Sequence, residues 1–145
     1  MINQSVCASF KKELFEAVHN FGVAPDVFML ALYTSSARLD FNTTAYSTVG
    51  EVVGPQYTAG GEILSILQAP TVYGSQIMLN FHDLLWPVGI SVITRGALIY
   101  NSTKANRAVL VIDFGLDINT STSGKFGITF PPHGQDMNPA ILVAR

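Results

Sequence analysis

The residues able to do chemistry in this chain are few and scattered. His19, His82 and His133 stand far apart, and none belongs to an H-x-x-x-H or H-x-E pattern, the spacings that would place metal ligands together. Cys7 is the single cysteine, so an internal disulfide and a Cys-pair metal motif are both excluded, and no G-x-S-x-G elbow supplies another nucleophile. Ser9-Phe10-Lys11-Lys12 fits S-x-x-K, but S-D-N and K-T-G are missing, and a helix N-cap with solvated lysines explains the run better. Gly60-Gly61 lacks the G-x-G-x-x-G spacing and Gly124-Lys125 lacks the earlier glycine of a phosphate-binding loop. His82-Asp83 reads as a hydrogen-bonded pair at a strand end. Asp113 and Asp117 flank Gly115, where an aspartate capping its own turn accounts for the pattern better than a general acid. No catalytic, cofactor-binding or metal-ligating residue is expected.

Aromatic side chains are the remaining candidates. Tyr46, Tyr57, Tyr73 and Trp86 could stack on a sugar or fill a pocket in a partner, against the plainer reading of core or rim packing. Composition favours a partner. Only 12% of the 145 residues are charged, against about 25% in ordinary soluble domains, while 48% are hydrophobic and mean hydropathy is +0.34. No segment reaches the roughly 18 uninterrupted apolar residues of a membrane helix, since Asp26, Pro87 and Arg95 break the best runs. A low-charge surface that is covered in an assembly reconciles these facts better than one built only from Asn, Ser, Thr and Gln. Net charge is −2 with pI near 5.8 and no basic run, which argues against nucleic acid as a partner. The N-terminus lacks the order of a secretory signal, and the N-x-[ST] matches at Asn3, Asn42, Asn101 and Asn119 read as by-products of polar loops.

These residues must be positioned by a mostly β chain. Residues 9–21 read as the one helix, with Phe10, Leu14, Val18 and Phe21 on one stripe, Ser9 as N-cap, and Gly22 with Pro25 as the stop. Strands are expected at 26–33, 62–69, 75–81, 90–94, 125–130 and 140–144, with a turn bracketed by Pro70 and Gly74. The segment 43–57 reads as a long irregular loop holding a short helical turn near 47–52. The clearest element is 95–115. Two β-prone runs, 97–100 and 108–114, flank the polar tip 101–107 as a hairpin. Its second strand is apolar on both faces apart from Asp113, so each face needs a cover. The expected fold is mainly β: a single-domain β-sandwich, jelly-roll-like, of seven to eight strands with one N-terminal helix and a C-terminal Pro-rich arm at 131–139.

The segments FKKELFEAVHNF, FMLALYTSSARLD, TTAYSTVGEV, YTAGGEIL and TRGALIYNSTKANRAVLVIDFG resemble a family of small virion structural proteins of tailed bacteriophages. The similarity spans about 10–127 and is most specific at 94–114 and 57–61; residues 84–93 and the arm at 131–139 depart from it. The resemblance implies a non-enzymatic capsid decoration (cement) protein at the capsid surface, made in the host bacterial cytoplasm. Its partners would be the major capsid protein and further copies of itself in a dimer or trimer, with no nucleic acid and no membrane. A neck or tail component is the alternative within that family, and a carbohydrate-binding sandwich module the alternative outside it. On the decoration reading, the contact residues are Tyr46, Tyr57, Trp86, the tip residues Asn101, Lys104 and Arg107, and Pro131 and Pro132 of the arm. Burial on one side by the sandwich and on the other by the helix or a neighbouring subunit would cover the hairpin 95–115.

Overall fold

The computed structural model describes residues 1–86, 89–122, 125–130 and 142–144, so the arm at 131–139 with Pro131 and Pro132 lies outside the described residues. Among the described residues, short apolar runs separated by Gly, Asn and Ser give ten strands and one α-helix, with a single 3-10 turn at Thr120–Thr122: β1 (Ser5–Val6), α1 (Ala8–Phe15), β2 (Phe28–Tyr33), β3 (Glu62–Leu64), β4 (Ile66–Tyr73), β5 (Gln76–Phe81), β6 (Leu84–Trp86), β7 (Ile93–Asn101), β8 (Arg107–Asn119), β9 (Phe126–Ile128) and β10 (Leu142–Ala144). A five-stranded sheet runs β1-β8-β7-β2-β3, a three-stranded sheet runs β10-β5-β4, and β6 pairs with β9; all pairs are antiparallel. The chain is mainly β and sandwich-like with an N-terminal helix, as its patterning predicts.

The helix is shorter than its apolar stripe suggests. Cys7, not Ser9, is the N-cap residue, and α1 ends at Phe15. Ala17 takes the left-handed conformation at φ 56, its N–H donates to the Leu14 carbonyl, and the Val18 N–H donates to Glu13. That pair of bonds is a Schellman stop, usually given to glycine because a Cβ costs energy at positive φ. Val18 and Phe21 therefore leave the helix. Phe21 still reaches the core, stacked on Phe28 with ring centroids 4.3 Å apart.

Three further elements differ from the pattern. The segment 47–52 is a non-helical turn. Pro70 lies inside β4 rather than at its end. It is tolerated because β4 is the outer strand of its sheet and shifts register twice against β5, between Ile66 and Gln68 and between Gln68 and Thr71. The strand expected over 62–69 divides at Ser65, whose carbonyl accepts the His82 N–H. There the chain leaves the first sheet, where β3 pairs with β2, and enters the second.

A chain of aromatic rings joins the layers. Phe10 of α1 meets Phe21, Phe21 stacks on Phe28 of β2, Phe28 meets Phe81 of β5, and Phe81 meets Phe130, with centroid separations of 6.0, 4.3, 6.0 and 6.2 Å. Directly opposed residues of an antiparallel pair share a face, so Phe28, Leu30 and Leu32 of β2 face this core together with Ile99 and Ala97 of β7. The opposite face carries Tyr33, Ala31, Leu98 and Tyr100.

The loop at 43–57 covers that second face. Ala45 bridges to Arg107 at the edge of β8, and Glu51 bridges to Tyr33 at the edge of β2. Since the sheet order is β8-β7-β2, the chain between them crosses over β7. On the way Tyr46 stacks on Tyr100 at 4.6 Å and the Tyr33 hydroxyl donates to the Ser47 carbonyl at 2.5 Å. The double-sided apolar character of 108–111 is thus met within one chain, and Ala108, Val109, Leu110 and Val111 are all buried.

Candidate functional site

Two buried polar clusters hold most of the chemistry-bearing side chains. The first surrounds Glu51. Its Oε1 accepts the Tyr57 hydroxyl and the Gly60 N–H, each at 2.7 Å, and its Oε2 accepts the Tyr46 hydroxyl at 2.6 Å. Tyr57 in turn accepts the Leu32 N–H, and the Tyr100 hydroxyl donates to the Gly60 carbonyl. Gly61 makes this turn possible: its φ is +77, and a Cβ there would run into the Leu30 carbonyl. The carboxylate thereby pins a loop with little regular structure onto the sheet edge.

This arrangement favours neutral phenols. Burial, reinforced by the adjacent Glu51 carboxylate, pushes Tyr46 and Tyr57 well above the ordinary tyrosine range, and burial does the same for Tyr33 and Tyr100. All three polar donors come from the chain itself. The cluster holds the loop at 46–60 against the sheet.

The second cluster ties the hairpin tip to the segment that follows α1. Arg107 Nη1 pairs with Glu13 Oε1 at 2.5 Å, and Glu13 Oε2 lies 2.7 Å from His19 Nε2. His19 Nδ1 is 3.0 Å from the Asn101 amide nitrogen, which also donates to Asp26 Oδ2 at 2.8 Å. The Asn101 carbonyl oxygen accepts the Lys104 N–H. With both acceptors and donors of Asn101 so committed, His19 Nδ1 accepts and Nε2 donates to Glu13. Burial alone would raise the Asp26 carboxyl. The Asn101 amide, the Asn20 N–H and the Lys104 charge outweigh it and hold Asp26 below the usual carboxylate value.

Cys7 lies close by and is fully buried. Burial, with Asp40 and Glu13 nearby, pushes its thiol up to about 11, so it stays protonated at neutral pH and is a poor nucleophile. Among the described residues no group of three His, Cys, Asp or Glu is placed to hold a metal ion, and no helix is long and apolar enough to cross a membrane.

The contact residues expected from sequence divide by burial. Trp86 is 1% exposed, packed against Phe126 and Tyr57, and Asn101 is 0% exposed, so neither offers surface to a partner in this fold. Tyr46 and Tyr57 are half-buried and spend their hydroxyls on Glu51, and Arg107 and Lys104 face the acidic groups of their own chain. Of the four aromatic stacking candidates, Tyr73 is the one counted as exposed. Arg107 and Lys104 thus each have a partner in their own chain, because burying Glu13 and Asp26 demands positive and amide partners, while residues 103 and 105–107 of the tip stay exposed.

Sequence reasoning missed an open, uncharged surface. From residue 63 to residue 81 the chain has no Asp, Glu, Lys, Arg or His. In the β4–β5 hairpin formed by this stretch, Leu67, Val72, Tyr73 and Ile77 are all exposed, and every residue from 69 to 75 is exposed. The uncharged run was there to be read, but no sequence period says whether such a hairpin is core or surface. Comparison with known proteins finds no matching family model, no similar curated protein and no similar solved structure.

Proposed function

We propose that this chain is a non-enzymatic structural protein of a bacteriophage virion, a capsid decoration protein that stabilises the head by bridging major capsid protein subunits. The observation that carries the assembly part of this reading is the uncharged, exposed β4–β5 hairpin. Exposed apolar side chains on a hairpin without charge, together with Phe15, Val23 and Val53 elsewhere on the surface, are the surface chemistry of a protein that is covered when it works. The resemblance of the segments at 57–61 and 94–114 to small virion proteins supplies the phage part.

The two buried clusters support the same reading from the opposite side. Both spend their ionisable groups on fixing loops, which suits a rigid spacer more than a reaction centre. Bridging needs such rigidity, because contacts shared among several neighbours strengthen one another only when their spacing is held. On this reading the protein sits at the capsid surface, with the major capsid protein and further copies of itself as partners.

Protein mass spectrometry and cryo-EM of purified particles test this directly. The expected result is a copy number that scales with the capsid lattice. A handful of copies would move the protein to the neck or tail, and absence from particles would reject the virion reading.

A further inference from the structure

The side chain of His19 is fully buried, with Glu13 of α1 on Nε2, Asn101 of β7 on Nδ1 and the Phe10 ring 4.9 Å away. Two further partners fix which way Asn101 points. Burial works against the charge of Asp26, but the Asn101 amide, the Asn20 N–H and Lys104 prevail, so its carboxylate can only accept. The Lys104 N–H can only donate. The Asn101 NH2 group therefore faces Asp26 and His19, and its oxygen faces Lys104. An imidazole carrying one proton, on Nε2, satisfies every member. A second ring proton, on Nδ1, would point at the Asn101 NH2 group, donor against donor.

The charges balance with a neutral ring. Glu13 and Asp26 are countered by Arg107 and Lys104, while Lys12 and Glu16 farther out on α1 pair with each other and the protonated Cys7 thiol adds no charge. A charged His19 puts one cation in excess. The His19 ring, at 0% exposure, is closed off from solvent. Arg107 and Lys104 can swing into solvent, since their side chains are 45% and 40% exposed.

We propose that His19 is a pH-operated latch: on taking a second proton it displaces Arg107 from Glu13 and Asn101 from its own ring, and the hairpin tip at 101–107 opens. The tip is poised for this. Ala105 and Asn106 both have positive φ, 54 and 57, in a tight turn closed by the Arg107 N–H on the Lys104 carbonyl. Two consecutive left-handed residues without glycine are costly and persist while both ends of the turn are held. Asn101 holds one end through the Lys104 N–H, and Glu13 holds the other through Arg107. A proton that the open form accommodates better shifts the population towards it, so the tip is closed at neutral pH and opens as pH falls. The latch is a property of the chain alone and stands apart from the virion reading.

Nitrogen-15 NMR of the labelled chain from about pH 8 down to about pH 5, the range in which histidine ordinarily changes charge, tests the latch. At the upper end the His19 ring should show the Nε2–H tautomer. As it becomes imidazolium, the Asn101 side-chain amide and the backbone amides of Ser102, Lys104 and Arg107 should shift with the same midpoint. Exchange of those three amides, corrected for its intrinsic pH dependence, should quicken at least about fivefold, the loss of one buried hydrogen bond. His19→Gln, which cannot take the proton, should abolish this response, and His82→Gln at an exposed position should leave it intact. An imidazolium already present at about pH 8 with the tip closed overturns the latch. So do a ring still neutral at about pH 5, a ring that titrates while the tip amides stay unmoved, and a tip response that survives His19→Gln. Circular dichroism checks folding, and if His19→Gln is unfolded the coincidence of midpoints in the wild type decides.

Discussion

The molecule contains two long β-hairpins with opposite fates. The β7–β8 hairpin has a polar tip with Lys104 and Arg107, yet that tip is bound into the fold through Glu13, His19, Asn101 and Asp26. The β4–β5 hairpin carries no charge, yet its turn end, residues 69–75, is exposed throughout. Intuition from composition assigns them the other way round. The difference arises because buried carboxylates at Glu13 and Asp26 recruit the nearest cation and amide, whereas an apolar strand gains nothing from its own chain once the facing sheet has ended. A polar tip is therefore no guide to an interface when unpaired acids lie within reach.

The comparison can be broken most severely at Glu51, which pins the loop covering the β7–β8 face. Glu51→Ala leaves two phenols and one N–H without their buried acceptor and should cost about 3 kcal/mol or more, read as a loss of urea midpoint. Alkali attacks the same cluster. Tyr33, Tyr46, Tyr57 and Tyr100 are held neutral above the ordinary tyrosine value of 10.0. The unfolded phenols ionise first, so stability is full below that value and falls as pH rises past it. Thermal unfolding followed with tyrosinate absorbance should show these four ionising together with unfolding; ionisation while the fold stays intact would contradict the cluster.

Arg107→Ala comes next. It removes one of two partners of buried Glu13, and because Arg107 is itself partly exposed the cost should be about 1–2 kcal/mol. Hydrogen exchange should quicken at residues 102–106, and unchanged stability would return the tip to the list of free surfaces. Ala17→Gly acts in the other direction. Relief of the left-handed backbone at the end of α1 should stabilise the chain by about 0.5–1 kcal/mol. On the free hairpin, Val72→Asp should move the unfolding midpoint least, within about 0.5 kcal/mol. A large folding loss there would mean that the hairpin is not free.

Much of the fold was legible because it rests on local chemistry. The run 28–33 is apolar on both faces and becomes the buried strand β2, and the β-branched runs around 95–115 become β7 and β8. The misread elements share one cause. Ala17 adopts a glycine-like conformation within the hydrogen bonds that end α1, and Pro70 sits inside a strand where an outer sheet position allows it. The candidate site was less visible still. Glu51 meets donors from positions 46, 57 and 60, and Glu13 meets Arg107, spacings that no helical or strand period reveals. An isolated glutamate in a tyrosine-bearing loop ahead of Gly60-Gly61 was the available hint.

By itself, then, the sequence determined that this protein is a β-sandwich with one N-terminal helix, sparse charge and a hairpin whose two faces must both be covered, since these follow from side-chain alternation and turn chemistry. Tertiary structure alone decided what does the covering. Whether a face meets its own loop, as over Tyr33 and Tyr100, or meets solvent, as at Val72 and Ile77, depends on where the opposing sheet ends and which acids are buried nearby. Those are distances in space between residues far apart in the chain, and alternation along a strand carries no record of them.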